Sequence, residues 1–127
     1  MTNALPPAPP LENEHVYRLV MQYQSPDEDG IICDISWEVW VRAGQLPVPR
    51  AGEKLLLDAG DGPSVGLVVD DVRHWLTGAD PHARVYVYAS PESDSDLHTM
   101  VALDQQQRAQ QWLNQFPAVV ADSLVIC

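Results

Sequence analysis

Positive charge is what this chain has least of. Seven Lys and Arg stand against eighteen Asp and Glu in 127 residues, for a formal net charge of −11. Tight contact with a nucleic-acid backbone needs clustered Lys and Arg, so the composition argues against direct nucleic-acid binding. The same deficit argues against adsorption on an anionic membrane. Cysteine is scarce as well: Cys33 and Cys127 are too few for a disulfide framework. No apolar run is long enough to span a bilayer. The N-terminus has neither the basic nor the apolar region of a secretory signal. A cytoplasmic protein is the expectation. P-loop and GxGxxG phosphate cradles are missing, as are H-x-x-x-H and C-x-x-C pairs. No cofactor and no metal are therefore expected.

What is present begins with a proline-rich segment. Residues 1–14, MTNALPPAPPLENE, hold four prolines among small and polar residues. Such a stretch cannot pack a core and is expected to be a disordered or polyproline tail. Residues 15–127 then suffice for a single domain with a useful core.

Val16 to Gln24 reads as a strand, with Tyr17, Leu19, Met21 and Tyr23 on one face. Ser25 to Gly30, SPDEDG, is an acidic hairpin loop. Ile31 to Arg42 is the clearest strand. Ile31, Cys33, Ile35, Trp37, Val39 and Val41 form a wholly apolar set, and Ile32, Asp34, Ser36, Glu38, Trp40 and Arg42 a mostly polar one. That alternation is the signature of a half-buried antiparallel strand. It also pins the register, because a slip of one residue would bury Asp34 and Glu38.

The stretch from Leu46 to Ala89 organises the rest. Pro47 and Pro49 keep the entry extended, and Arg50-Ala51-Gly52-Glu53 forms a tight turn. Lys54 to Asp58 is a short strand with Leu55 and Leu57 on one face, and residues 59–63 are dense in turn signals. Val65 to Leu76 is a long strand whose inward parity changes midway, from Val65, Leu67 and Val69 to Val72 and Leu76. A period of two cannot do that without an extra residue, so a β-bulge is expected at Asp70-Asp71. Residues 77–83 turn the chain into a strand over Arg84 to Ala89, where Val85 and Val87 alternate with Tyr86 and Tyr88.

This succession of PRAGEKLLL, VGLVVDDVRHWL and RVYVYA resembles a group of small bacterial and phage β-barrel domains. In them a Pro-Arg-x-Gly-Glu/Asp turn leads into a strand, followed by V-x-x-V-x-H-type and V-x-V-type strands. The resemblance covers about the middle third of the chain. It implies an SH3-like barrel and carries no active site across. The expected fold is mainly β (α+β): a small five-stranded antiparallel SH3-like barrel with a C-terminal helix packed on it.

Past Ala89 the chain changes character. Ser90 to Leu97 is acidic and loop-like, and His98 to Leu103 suits either a strand or the approach to a helix. Asp104 to Phe116 is the one good helix, capped by Asp104 with Gln107 at the reciprocal position. Its stripe of Ala109, Trp112, Leu113 and Phe116 has helical spacing, and its other face is rich in glutamine. The outward strand positions Val20, Trp40, Val68, Tyr86 and Tyr88 are the expected receiving surface for that stripe, in one chain or across a homodimer. Ala118 to Cys127 is apolar enough for a strand or a short helix.

Chemistry-bearing residues are few. His15, His74, His82 and His98 lack a shared spacing, and Asp70, Asp71 and His74 do not converge on a strand. Cys33 on an apolar face is expected to be an inert buried thiol. The suggestive groups are two acidic loops, one with Asp27, Glu28 and Asp29 and the other with Glu92, Asp94 and Asp96. With them go the outward aromatics Trp40, Tyr86 and Tyr88, and Trp112 on the helix. Either the helix covers those aromatics or they form a patch of the kind interfaces use. The expectation is a non-catalytic acidic protein-protein interaction module whose partner presents a basic surface. Alternatives are an acidic inhibitor or nucleic-acid mimic from a phage or mobile element, and an enzyme with a barrel-mouth site near His74.

Overall fold

The computed structural model describes residues 15–76 and 84–127. The expected N-terminal tail, 1–14, and the turn expected over 77–83 lie outside the described residues. In chain order the elements are β1 Val16–Pro26, β2 Ile32–Arg42, β3 Lys54–Asp58, β4 Ser64–Trp75, β5 Arg84–Pro91, α1 Asp94–Leu103, α2 Gln106–Leu113 and β6 Val125–Ile126. The strands form one six-stranded sheet in the order β3-β4-β5-β1-β2-β6.

The sheet is mixed and open, which corrects the expectation of a closed antiparallel barrel of five strands. β1 pairs antiparallel with β2 but parallel with β5, in the register Leu19 to Val87 and Met21 to Ala89. That parallel pairing puts β1 in the interior of the sheet, so β3 and β6 are left as its two edges.

Alternation set the faces as the sequence indicates. Tyr17, Leu19, Met21 and Tyr23 of β1 and Trp37, Val39 and Val41 of β2 are all buried on one face. Val65, Leu67 and Val69 of β4 and Val87 and Ala89 of β5 join them in one core cluster. Burying side chains of this size contributes roughly 1.5–3 kcal/mol each relative to leaving them exposed. The bulge is where the parity change requires it. Val69 pairs with Ala89 and Asp71 with Tyr88, so Asp70 is the unpaired extra residue and Val72 returns to the inner side opposite Val87. In the turn before β3, Gly52 takes φ 90°, a conformation a Cβ would disfavour.

Both helices lie on this inner face. Met100 and Leu103 of α1 and Ala109, Trp112 and Leu113 of α2 are buried in the same cluster as the inward strand residues. The stripe on the second helix therefore buries as its spacing demands, but against the inner face and not against Val20, Trp40, Tyr86 and Tyr88. The inner face offers wholly apolar rows, whereas the outer one carries Arg18, Glu38 and Arg73 between its aromatics. The wholly apolar face loses less hydration on contact.

Two boundaries also differ. Residues 94–103, expected as loop with an undecided continuation, are helix α1. Its start is a capping box in which Ser93 Oγ accepts from the Asp96 N–H at 3.2 Å and donates to the Asp96 carboxylate at 2.7 Å. The second helix is shorter than expected. Gln105, not Asp104, caps it, its side chain accepting from the Arg108 N–H, while Asp104 closes α1.

The end of the chain follows the β2 edge. Arg42 N–H donates to Ala118 O, Val120 N–H to Trp40 O and Cys127 N–H to Ser36 O. The glutamines of α2 hold this segment from the other side. Leu124 N–H donates to Gln110 Oε1 at 2.9 Å, and Gln106 Nε2 donates to Leu124 O at 2.9 Å. The polar helix face is thus a substitute strand edge for residues 124–126.

Candidate functional site

With both helices on one side, the outer face of the sheet carries the residues of interest. Even positions of β1 and β2 and their partners on β5 and β4 project there. Arg18 stands between Trp40 on β2 and Tyr86 on β5. Its guanidinium carbon lies 4.9 Å from the Trp40 ring centroid. Arg73 repeats the motif one strand further, 5.1 Å from the ring of Tyr88 and held by Asp71 at 2.9 Å. Such stacks fix a guanidinium plane.

Arg18 is the unusual member. Its side chain is 8% exposed. Glu38 approaches its Nε to 3.5 Å, an ion-pair distance, yet Nε makes no hydrogen bond. Coulomb attraction is present and the directional bond is not. The two phenols beside it, Tyr86 and Tyr88, have ring centroids 6.0 Å apart. Burial pushes both phenol pKa values up, with Glu38 adding to the shift and Arg18 (for Tyr86) or Arg73 (for Tyr88) opposing it. Both phenols therefore stay protonated at neutral pH. Sequence reading singled out Trp40, Tyr86 and Tyr88 but passed over Arg18. The available signal was a cation at an outward position flanked by outward aromatics.

Further along the same face is a hollow of about 550 Å³ lined by Gln22, Gln24, Asp34, Ser36, Asp70 and Cys127, among others. It is polar and open, with Gln24 donating to Asp34 at 2.9 Å across its floor.

The two acidic loops share one end of the sheet, because β1 and β5 run parallel and their C-terminal ends lie side by side. Much of that charge is spent locally. Asp27 Oδ1 accepts from the N–H groups of Asp29 and Ile31 at 2.9 Å each. Glu92 pairs with Lys54 at 2.7 Å. Asp96 accepts from Gly66 N–H at 2.8 Å, and that bond with those from Ser93 holds its carboxyl below the usual range. Glu28, Asp29 and Asp94 are exposed. Ile31 and Ile32 protrude at this end, 62% and 60% exposed.

The other sequence candidates are placed elsewhere. Trp112 is in the core, its indole N–H donating to Pro63 O at 2.9 Å, so it is no part of the outer surface. Cys33 lies beyond the core near the hairpin tip. It is half-buried rather than sealed, with its sulfur 3.6 Å from Ile31 O. His15, His74 and His98 are exposed, and His82 lies outside the described residues. Among the described residues no three of His, Cys, Asp and Glu are gathered so as to hold a metal ion. Among the described residues no helix is long and apolar enough to cross a membrane. No family model, no curated protein and no solved structure matches the chain.

Proposed function

We propose that the protein is a non-catalytic interaction module that meets a protein partner through the outer face of its sheet. The observation that carries this reading is the segregation of the helices. Both bury the inner face, while on the outer face the half-buried Tyr86 and Tyr88 lie beside the exposed Arg73, whose guanidinium stacks on Tyr88; Arg18 and Trp40 on that face are themselves buried and back the patch. Trp, Tyr and Arg are the residue types that dominate binding hot spots, and here their geometry is preset. The acidic end plays a second part. Glu28, Asp29 and Asp94 leave negative charge free to steer a partner that also carries basic residues.

A likeness of about the middle third of the chain to small bacterial and phage β-domains is part of the proposal, as is residence in a cytoplasm. The turn-and-strand pattern supports the first and two free thiols, Cys33 and Cys127, the second.

The test is a comparison of three immobilised proteins: wild type, Tyr86→Ala/Tyr88→Ala and Glu28→Lys/Asp29→Lys. A partner retained by the wild type and lost from the tyrosine variant supports the reading. A partner retained by the tyrosine variant and lost from the lysine variant, and eluted by modest salt, favours an acidic mimic instead.

A further inference from the structure

We propose that the free edge of β3 is a homodimer interface, at which a second copy of this chain adds its own β3 antiparallel about a two-fold axis at Leu56. This goes beyond the outer-face reading and does not rest on it.

The two edges of the sheet are finished differently. At β6 the edge is capped. Cys127 exchanges both backbone bonds with Ser36 of β2, so the amides of Leu124 and Ile126 point away from the sheet. Gln110 and Gln106 of α2 accept from them at 2.9 and 3.3 Å. The β3 edge has no such cap. Val69 N–H donates to Glu53 O at 2.8 Å on the β3 side, and Glu92 N–H donates to Gly66 O at 2.9 Å on the other. Alternation then turns Leu55 and Leu57 toward β4 and aims the backbone N–H and C=O of Lys54, Leu56 and Asp58 outward. Among the described residues nothing bonds to those groups. Leu56, in the middle of the row, is 71% exposed. An unpaired row of this kind is a template for another strand.

The strand that fits this edge is its own copy. The sequence KLLLD has a cation at one end, an anion at the other and leucines between. In an antiparallel pair centred on Leu56, Lys54 stands opposite the partner's Asp58, and Asp58 opposite the partner's Lys54. Leu56 meets the partner's Leu56, and Leu55 the partner's Leu57. Every outward N–H and C=O then finds a mate. Parallel pairing in register would set lysine against lysine and aspartate against aspartate, and a shift of two residues would break both charge pairs. Opposite charges facing each other stabilise a strand pair and like charges destabilise it. Both side chains have capacity left. Lys54 Nζ carries three donors, and Glu92 takes one at 2.7 Å. Asp58 spends Oδ1 on Gly60 N–H at 2.8 Å, which leaves Oδ2. A basic strand from another protein would set a cation against Lys54, the only lysine of the chain. Because the β6 edge is capped, growth closes at two copies. The axis stands perpendicular to the sheet, so both outer faces look the same way.

The test uses the full chain. Sedimentation over a rising concentration series reads the oligomeric state. Hydrogen exchange of the Leu56 N–H, beside that of Leu55 as internal control, reads the surface. A monomer–dimer equilibrium is expected, with Leu56 exchange slowing as the dimer fills and Leu55 slow throughout. Leu56→Lys alters an exposed position and should keep the wild-type urea transition. It should weaken the dimer roughly tenfold or more, since like charges then meet on the axis. Lys54→Asp and Asp58→Lys should each be monomeric alone and dimerise when mixed, because the mixture restores both opposite-charge pairs. Folded variants that stay monomeric on mixing would overturn this register. Should a variant fail to fold, the wild-type Leu56 amide still decides. Protection of Leu56 at every concentration would mean that the chain covers its own edge, which overturns the assignment. A monomer with fast Leu56 exchange up to millimolar concentration leaves the edge to a strand of another protein and overturns the second copy. A dimer that shifts the ring resonances of Tyr86 and Tyr88 while Leu56 stays fast moves the contact to the outer face and overturns the edge.

Discussion

Leu19 lies in register with Val87, and the two strands that carry them run the same way. This one relationship decides most of the architecture. Successive hairpins would have made every neighbour antiparallel and allowed the sheet to close. With β5 entering beside β1 in parallel, β1 becomes an interior strand and the sheet stays open. The same pairing sends Pro26 and Pro91 to one end, which is why both acidic loops gather there.

The bulge makes an unusual tolerance testable. Asp71 pairs with Tyr88 directly after Val69 pairs with Ala89. Removing Asp70 would therefore restore a regular ladder with Val69 and Val72 still facing the core. Deletion of Asp70 is expected to cost less than about 1.5 kcal/mol in urea unfolding. Deletion of Val68 would throw residues 64–67 onto the wrong face and should cost several-fold more, by the core-loss mechanism.

Trp37 measures the inner core. It is fully buried, meets Tyr23 edge-on at 6.2 Å and donates its indole N–H to the Tyr23 hydroxyl at 3.2 Å. Trp37→Ala is expected to destabilise by about 3–5 kcal/mol. A loss under about 1 kcal/mol in denaturant titration would contradict this burial.

Asp96 gives the fold a defined acid sensitivity. Its folded-state pKa lies below the ordinary 3.8, chiefly through the bond from Gly66 N–H and then Ser93. A depressed carboxylate stabilises above its unfolded pKa and loses that contribution as pH falls through the folded one. The stability difference between wild type and Asp96→Asn should thus be steady above about pH 5 and shrink below 3.8. Gly66 belongs to the same device. A Cβ there would sit 3.1 Å from Glu92 Oε2 and 3.3 Å from Asp96 Oδ2, both already tied by Lys54 and Ser93. Gly66→Ala should cost about 1–2 kcal/mol at neutral pH, read by thermal unfolding.

The C-terminal quarter is structural. Deleting residues 104–127 takes Ala109, Trp112 and Leu113 out of the main core and strips β2 of its edge partner. The truncated chain is expected to lose its cooperative urea transition and to bind apolar dyes throughout. A milder probe is Gln110→Ala, which leaves Leu124 N–H without the acceptor it has at 2.9 Å. About 1–2 kcal/mol is expected, because that bond and the exposed one from Gln110 Nε2 to Asn114 Oδ1 are both lost.

Local rules read a good part of this chain correctly. The inward row of β2 from Ile35 to Val41, the Lys54–Asp58 strand, the turns at Gly52 and 59–63, the bulge and the buried stripe of α2 follow from periodicity and turn chemistry within a few residues, whereas Ile31 and Leu76, expected inward, are 62% and 85% exposed. Helix α1 was legible too, in the Ser93–Asp96 capping box, but its acidic composition disguised it as loop. The rest depended on partners far away in sequence. A strand's alternation states which side chains share a face; it does not state which strand lies beside it or in which direction. The outer face of β1 looked receptive because Val20, Trp40 and Tyr88 are large and apolar. Parity alone places Arg18 beside Val20 and Glu38 beside Trp40; the assembled sheet added Arg73 from β4, and both helices pack on the wholly apolar inner side. Cys33 had the right parity for the core but sits past the point where α1 and α2 cover it. Sequence alone determined the local elements and their faces, because those arise from bonds and contacts a few residues apart. The tertiary structure decided strand direction, sheet closure and which face the helices cover, because those depend on which distant surfaces lose water together.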